Sequence, residues 1–377
     1  MVSSINSVMY NLDILNKRNE KNTYSLSSTD ALQYGSDNSK QYNEILSINN
    51  NVKSYTSILD KIKLSGAYNT TSDSAISSMK NSIKSLQGSV LEALNGTTTS
   101  DVKDIIATDI ESLKDTIYTL SNSSVNGQYV FSGKDSNNQT FGKDANGKIT
   151  YNGSYDNKTV NVETNTYATQ GVNGIELLYT PSQSAQAGSS LTFSTDQRIL
   201  DKDGNEYKLA DTNSDGTYDG LYLNGDTSTT PISTSITNNG DGTYTAASVS
   251  TALESKTSIF DTLDQIINAL RQRDSSGNII TADAANQVLS DSLEKIGTAY
   301  DNVNVNHSKL GTRTSYIDNY KQIAQTKLSN FDILQKTYAS ADLTALAVES
   351  KSLQNTYTAL YSTINKINSL SLVNYLK

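Results

Sequence analysis

The chain lacks cysteine and tryptophan altogether, and its 377 residues include one histidine, two prolines and five phenylalanines. Without cysteine there can be no disulfide, no thiolate zinc site and no cysteine nucleophile. No stretch approaches 18 consecutive apolar residues, so no membrane-spanning helix is expected. The opening Met1-Val2-Ser3-Ser4-Ile5-Asn6 has neither a basic region nor an apolar run, which argues against a cleavable secretory signal. Basic runs are missing too. With a net charge of −9, neither nucleic acid nor an anionic membrane surface is expected as a partner.

Recognisable chemistry is equally sparse. His307 has no Gly-x-Ser-x-Gly string to accompany it and reads as a structural histidine. Gly142-Lys143 and Gly147-Lys148 are fragments of a phosphate loop without its full spacing, and the acidic residues form no organised pair. Asp211-Thr212-Asn213-Ser214-Asp215-Gly216 matches the start of a calcium loop, and Asp219 stands at its ninth position. Tyr222 occupies the twelfth, where a bidentate glutamate belongs, so a polar β-turn is the favoured reading and calcium stays the alternative. No catalytic residue, cofactor or metal ligand is therefore assigned.

What the chain does have is periodicity. Leu289, Ile296, Val303, Leu310, Ile317, Ala324, Phe331 and Tyr338 recur every seven residues. At 1.5 Å per residue, one helix carrying them runs about 75 Å and needs a partner of similar length. Ile45, Ile48, Val52, Tyr55, Leu59 and Ile62 supply one in alternating three- and four-residue steps. That helix is expected over 40–64, halting near Gly66. A further helix carries Ile76, Met79, Ile83, Leu86, Val90 and Leu94, and another runs from Ile105 to Leu120 after N-cap candidates at Thr97–Ser100. On the far side a helical pattern starts near Val249 and includes Ile259, Leu263, Ile266 and Leu270.

The middle reads differently. Fourteen of the 21 glycines and both prolines lie between Gly127 and Gly242. Tyr129-Val130-Phe131, Ile149-Thr150-Tyr151, Val160-Asn161-Val162 and Leu191-Thr192-Phe193 are β-prone. Asn146-Gly147, Asn152-Gly153, Asp203-Gly204, Asp215-Gly216, Asn224-Gly225 and Asp241-Gly242 separate them as turns. The expected class is α+β: a long antiparallel helical rod with coiled-coil packing, built from both chain ends, with a small antiparallel β domain inserted.

Both extreme ends are amphipathic. Ile5, Val8, Leu12 and Leu15 form one stripe, followed by a polar stretch through Asn38. After Ser340-Ala341-Asp342 the seven-residue period restarts with Leu346, Leu353, Leu360 and Ile367, and Leu343, Tyr357 and Ile364 lie in companion positions. Apolar stripes with no domain of their own await a partner. Ile5, Val8, Leu12, Leu15, Leu353, Leu360, Ile364, Ile367 and Leu370 are the candidate assembly face, against the plainer reading that they only pack on each other.

Several strings resemble one family. Gly127-Gln128-Tyr129-Val130-Phe131-Ser132-Gly133 with Thr140-Phe141, Leu310-Gly311-Thr312-Arg313, and Ser369-Leu370-Ser371-Leu372-Val373-Asn374-Tyr375-Leu376 are similar to motifs of the flagellin-like hook-associated proteins, which join hook to filament in the bacterial flagellum. Ser25-Leu26-Ser27-Ser28 and Ser36-Asp37-Asn38 resemble that family's N-terminal run. A glycine inside a helix costs about 1 kcal/mol relative to alanine, so close packing at Gly311 is expected.

The resemblance implies a terminal helical assembly domain (1–40 and 342–377), a helical rod domain with a short hairpin (41–135 and 251–341) and a β-rich outer domain (136–250). It implies a ring of identical subunits, a sister hook-associated protein on the hook side, flagellin on the filament side, an export chaperone, and an extracellular place reached by type III export. The alternatives are a filament flagellin, a secreted calcium-binding coiled-coil adhesin, and an enzyme carried by the middle domain.

Overall fold

A computed structural model describes residues 2–145 and 147–375, with side chains in the terminal helices described from Asn6 to Lys366. The helices are α1 (Val2–Ser28), α2 (Ser39–Ala93), α3 (Ser100–Ser121), the short α4 (Gly174–Leu178), α5 (Ile259–Leu270), α6 (Ala282–Ala339) and α7 (Leu343–Tyr375). Between α3 and α4 lie three hairpins: β1 (Ser124–Val125) with β2 (Gln128–Tyr129), β3 (Phe141–Lys143) with β4 (Ile149–Tyr151), and β5 (Thr159–Glu163) with β6 (Thr166–Thr169). Then come β7 (Tyr179–Ala185), β8 (Leu191–Ser194), β9 (Arg198–Asp201), β10 (Glu206–Ala210), β11 (Gly220–Leu223), β12 (Ile236–Asn238), β13 (Thr243–Ala246) and β14 (Leu253–Ser258). They make an antiparallel five-stranded sheet ordered β11-β10-β9-β14-β7 and a three-stranded sheet ordered β12-β13-β8. This is the α+β class expected from the glycine distribution and the flanking heptads.

The chain divides into two compact units, Met1–Asp60 with Gln322–Lys377, and Lys61–Lys321. We call them unit 1 and unit 2. Both α2 and α6 contribute residues to each.

In unit 2 the apolar steps read from the sequence become one core. Ile76, Met79, Ile83, Leu86 and Val90 of α2 meet Ile106, Ile110 and Ile117 of α3, and Leu263 and Ile266 of α5. From α6 come Leu289, Ile296, Val303 and Leu310, all at most 1% exposed. Phe141 closes the core beside the strands, edge-on to Phe260 and Tyr151 with ring centroids 5.3 Å away in both cases. Thr99 caps α3 by accepting from the Val102 N–H, and Ser258 caps α5 by accepting from the Phe260 N–H. A smaller core of Leu191, Phe193, Ile199, Leu221, Val249 and Leu253 lies between the two larger sheets.

The structure corrects four expectations. First, α2 is continuous through Gly66. A lone glycine costs a helix about 1 kcal/mol, whereas fully burying one large apolar side chain contributes roughly 1.5–3 kcal/mol. Ile62 and Tyr68 flank the glycine at 1% and 4% exposure, so packing wins. Second, a Cβ at Gly311 would meet nothing within 4 Å, so close packing within the chain does not account for that glycine.

Third, the segment before Ile259 is strand β14, not helix. Leu253 and Ser255 are buried and alternate with half-buried neighbours, while the backbone pairs with β7 on one side and β9 on the other. Fourth, β2 ends at Tyr129, and Val130 and Phe131 leave the strand to enter the main core. Of the expected turns, Asp203-Gly204, Asp215-Gly216, Asn224-Gly225 and Asp241-Gly242 each place their glycine at positive φ. Asn146 lies outside the described residues.

Candidate assembly surface

Unit 1 pairs the two ends of the chain. The polar stretch after Leu15 does not interrupt α1, which continues to Ser28 and packs on α7. The seam is polar as well as apolar. Buried Asn22 donates through Nδ2 to the Leu346 carbonyl at 3.1 Å, and the Tyr357 hydroxyl donates to Asn16 Oδ1 at 2.7 Å. Arg18 forms an ion pair with Glu349. Such directional contacts fix which residues face each other along the seam.

Both helices begin or end at one elbow. The Ala31 N–H donates to the Ala339 carbonyl at 2.7 Å, and the Ala341 N–H donates to the Thr29 carbonyl at 2.9 Å. Asp342 then caps α7, its Oδ1 accepting from the Thr344 and Ala345 N–H groups at 3.0 Å. On the other strand of the elbow, Asp37 accepts from the Tyr34 N–H, and that bond lowers its pKa, with Lys21 at 3.4 Å adding to the effect. Gln41 Nε2 reaches the Tyr338 carbonyl at 2.7 Å. Tyr55 stacks on Phe331 with centroids 5.7 Å apart, so the heptad ladder of α6 still has a partner in unit 1.

The predicted face is split by the fold. Leu15 and Leu353 are buried at 7% and 3% exposure. Val8, Leu12, Leu360 and Ile364 are half-buried. Ile5, Ile367 and Leu370 lie outside the residues whose side chains are described. A second set of apolar side chains is more open: Met9, Tyr10 and Ile14 on α1, with Leu343, Val348 and Tyr361 on α7. Leu343 is a companion position of the expected stripe that the fold leaves exposed, and the seven-residue count passes over the other five. The four-residue step from Tyr10 to Ile14 is the sequence signal that marks this outer stripe.

The other singled-out residues have local roles. His307 Nε2 lies 2.7 Å from Asp73 Oδ1 and ties α6 to α2. In the acidic loop, Asp211 Oδ1 and Oδ2 accept from the Ser214 and Gly216 N–H groups at 2.7 and 2.9 Å. Asp215 Oδ1 accepts from the Thr217 N–H, and Asp219 Oδ2 accepts from the Thr212 N–H. The carboxylates thus hold their own backbone in a turn. Among the described residues no group of three His, Cys, Asp or Glu side chains is placed to hold a metal, and no helix is long and apolar enough to cross a membrane.

Comparison with known proteins bears on this geometry. Residues 3–136 match the family described as the bacterial flagellin N-terminal helical region. No curated protein matches by sequence. Among solved structures, flagellar hook associated protein-3 of Legionella pneumophila is 18% identical, with 78% of this chain and 98% of that chain aligned at a TM-score of 0.53. A putative flagellar hook-associated protein of Vibrio parahaemolyticus is 14% identical, with 81% of this chain and 100% of that one aligned, also at 0.53. Residues 3–136 are thus similar to the bacterial flagellin N-terminal helical region, and the fold of the chain is the one seen in these hook-associated proteins.

Proposed function

We propose that this chain is a structural subunit of the bacterial flagellum that joins hook to filament, and that its terminal helices drive assembly. One observation carries the reading: α1 and α7, the two ends of a flagellin-like fold, pair with each other and leave large apolar side chains of both helices exposed. Burial of such side chains by neighbouring subunits is the kind of free energy that drives association, at about 25 cal/mol per Å² of apolar surface.

In this reading Ile5, Val8, Leu12, Leu15, Leu353, Leu360, Ile364, Ile367 and Leu370 set up the paired ends, and Met9, Tyr10, Ile14, Val348 and Tyr361 meet the neighbours. Segments 1–40 and 342–377 form the assembly layer, 41–135 and 251–341 the rod, and 136–250 an outer domain. The partners are further copies in a ring, a sister hook-associated protein on the hook side and flagellin on the filament side. The place is extracellular, reached by export through the flagellar apparatus with a chaperone and without a cleaved signal. The role is architectural, not catalytic.

Deleting residues 342–377 tests it. The expected result is loss of junction formation while the helical circular dichroism of the remainder persists. Cells without the gene should carry hooks without filaments and shed flagellin into the medium. Normal filaments after either change would sink the proposal.

A further inference from the structure

Within unit 2, α6 has a flank that stays exposed among the described residues, its Tyr316 ring meeting only the edge of Tyr320 on the same helix with centroids 5.1 Å apart. His307 and Thr314 face α2, through Asp73 at 2.7 Å and Asn69 at 3.0 Å. Val305, Lys309, Thr312, Tyr316 and Asn319 stand roughly half a turn round the helix from those two, and all five are exposed. Val305 is 55% exposed and Tyr316 47%. Lys309 is the one charged residue of the five. The row follows three- and four-residue steps, as the buried seam does.

A groove lies along α2 in the same unit. It encloses about 290 Å³ and is lined by Lys61, Leu64, Ser65 and Tyr68, with Val160 and Tyr167 of the β5–β6 hairpin among the other walls. Leu64 and Tyr167 stand open to solvent. Ser65 is 1% exposed, yet its hydroxyl has no hydrogen-bond partner among the described residues. A buried hydroxyl left unmatched is costly, and an incoming group that can pair with it is favoured. The groove is also cationic: Lys61 lines it, and Lys158 Nζ sits 5.8 Å from the Tyr68 ring centroid. An uncharged aromatic ring with a hydroxyl complements both features in kind, because its face attracts cations and its hydroxyl can both donate and accept a hydrogen bond.

The two features stand at one height. The pairs Asn69 with Thr314 and Asp73 with His307 fix the antiparallel level of the two helices. Counting from them, Tyr316 is level with residues 64–67 and Asn319 with residues 61–64, beside the groove. Knob and groove are different surfaces, so their contact between copies is heterologous and repeats sideways with little axial shift.

We propose that Tyr316 of one copy seats in the Leu64–Ser65–Tyr68 groove of a second copy, making a side-by-side contact that does not involve the terminal helices. The inference rests on the reading of this chain as a self-assembling subunit and names a contact for it.

The lack of native cysteine makes the test direct. Full-length Leu64→Cys and Asn319→Cys chains, one with a mass tag, are oxidised separately and together and run without reductant. The mixture is expected to give a tagged–untagged dimer at about tenfold the yield of the like-with-like dimer from either variant alone. Adding Tyr316→Ala to the Asn319 variant should lower that yield about tenfold, as expected for loss of an aromatic anchor.

Equal dimer yields from a single variant, or no mixed dimer because another molecule fills the groove, overturn the contact. Sedimentation of the same samples separates the two proposals. Large assemblies without the mixed disulfide overturn this contact and leave assembly through the terminal helices standing. The mixed disulfide without large assemblies supports this contact and counts against the terminal-helix reading.

Discussion

The Thr29 carbonyl accepts from the Ala341 N–H at 2.9 Å, while the Ala31 N–H donates to the Ala339 carbonyl at 2.7 Å. Two backbone bonds therefore lock the end of α1 to the start of α7. The residue at the centre is in a left-handed conformation, with Thr29 at φ +64°. A β-branched residue there carries about 1–2 kcal/mol of strain.

Thr29→Gly is accordingly expected to stabilise unit 1 by about 1 kcal/mol, the relief of strain being partly offset by glycine's entropy. Thr29→Pro should do the opposite, since proline fixes φ near −65° and removes the N–H that Thr29 donates to the Ser25 carbonyl. Limited proteolysis reads both. Faster cleavage around residues 29–31 and 339–341 is expected for the proline variant and slower cleavage for the glycine variant. A proline variant as resistant as the native chain would refute the locked elbow.

A half-buried carboxyl gives unit 2 a pH dependence. Asp261 at the first turn of α5 is pushed up to about 7, chiefly because burial removes it from water. Asp196 and Asp264 add to the rise, and Lys148 and Lys114 oppose it. The folded chain therefore holds this proton up to about pH 7, while the unfolded chain releases it near 4. Between those values the folded state binds more protons, so stability falls as pH rises, with a slope of at most about 1.4 kcal/mol per unit. Denaturant titrations at pH 5 and 8 should show this loss, and Asp261→Asn should flatten it. An unchanged difference in that variant would assign the effect to other groups.

Gly66 offers a direct measure of packing against propensity. It lies inside α2, and a Cβ there would meet nothing within 4 Å. Gly66→Ala should stabilise the chain by about 0.5–1 kcal/mol through helix propensity and a less flexible unfolded chain. Thermal unfolding should move up by a few degrees. A lower midpoint would mean that the helix needs the glycine's freedom.

The same residue shows where reading the sequence succeeds and where it stops. The ladder Leu289–Leu310 and the steps Ile76–Val90 were legible because each is a periodic pattern whose burial the structure repeats, residue by residue. Gly66 misled because local propensity is worth about 1 kcal/mol and loses to neighbouring burial. Strand β14 was hidden because Leu253–Ser258 is short and mostly polar, and only its two sheet neighbours make it a strand. In α1 and α7 the stripes were visible, but not which side of each would be taken up by the other helix. That depends on Asn16, Asn22 and Arg18, whose polar contacts carry no hydrophobic period.

This division between inner seam and outer stripe can be separated by two substitutions on one helix. Leu353 is 3% exposed and Val348 68%. Leu353→Ala leaves a cavity and should destabilise unit 1 by about 2–4 kcal/mol. Val348→Ser touches no core and should change stability by less than about 0.5 kcal/mol. If the outer stripe meets neighbouring subunits, Val348→Ser should nevertheless weaken assembly, read as a higher protein concentration needed for large species in sedimentation. The Leu353 variant should instead show early melting at every concentration. Normal assembly by the Val348 variant would move the partner face off this stripe and back onto the half-buried residues Val8, Leu12, Leu360 and Ile364.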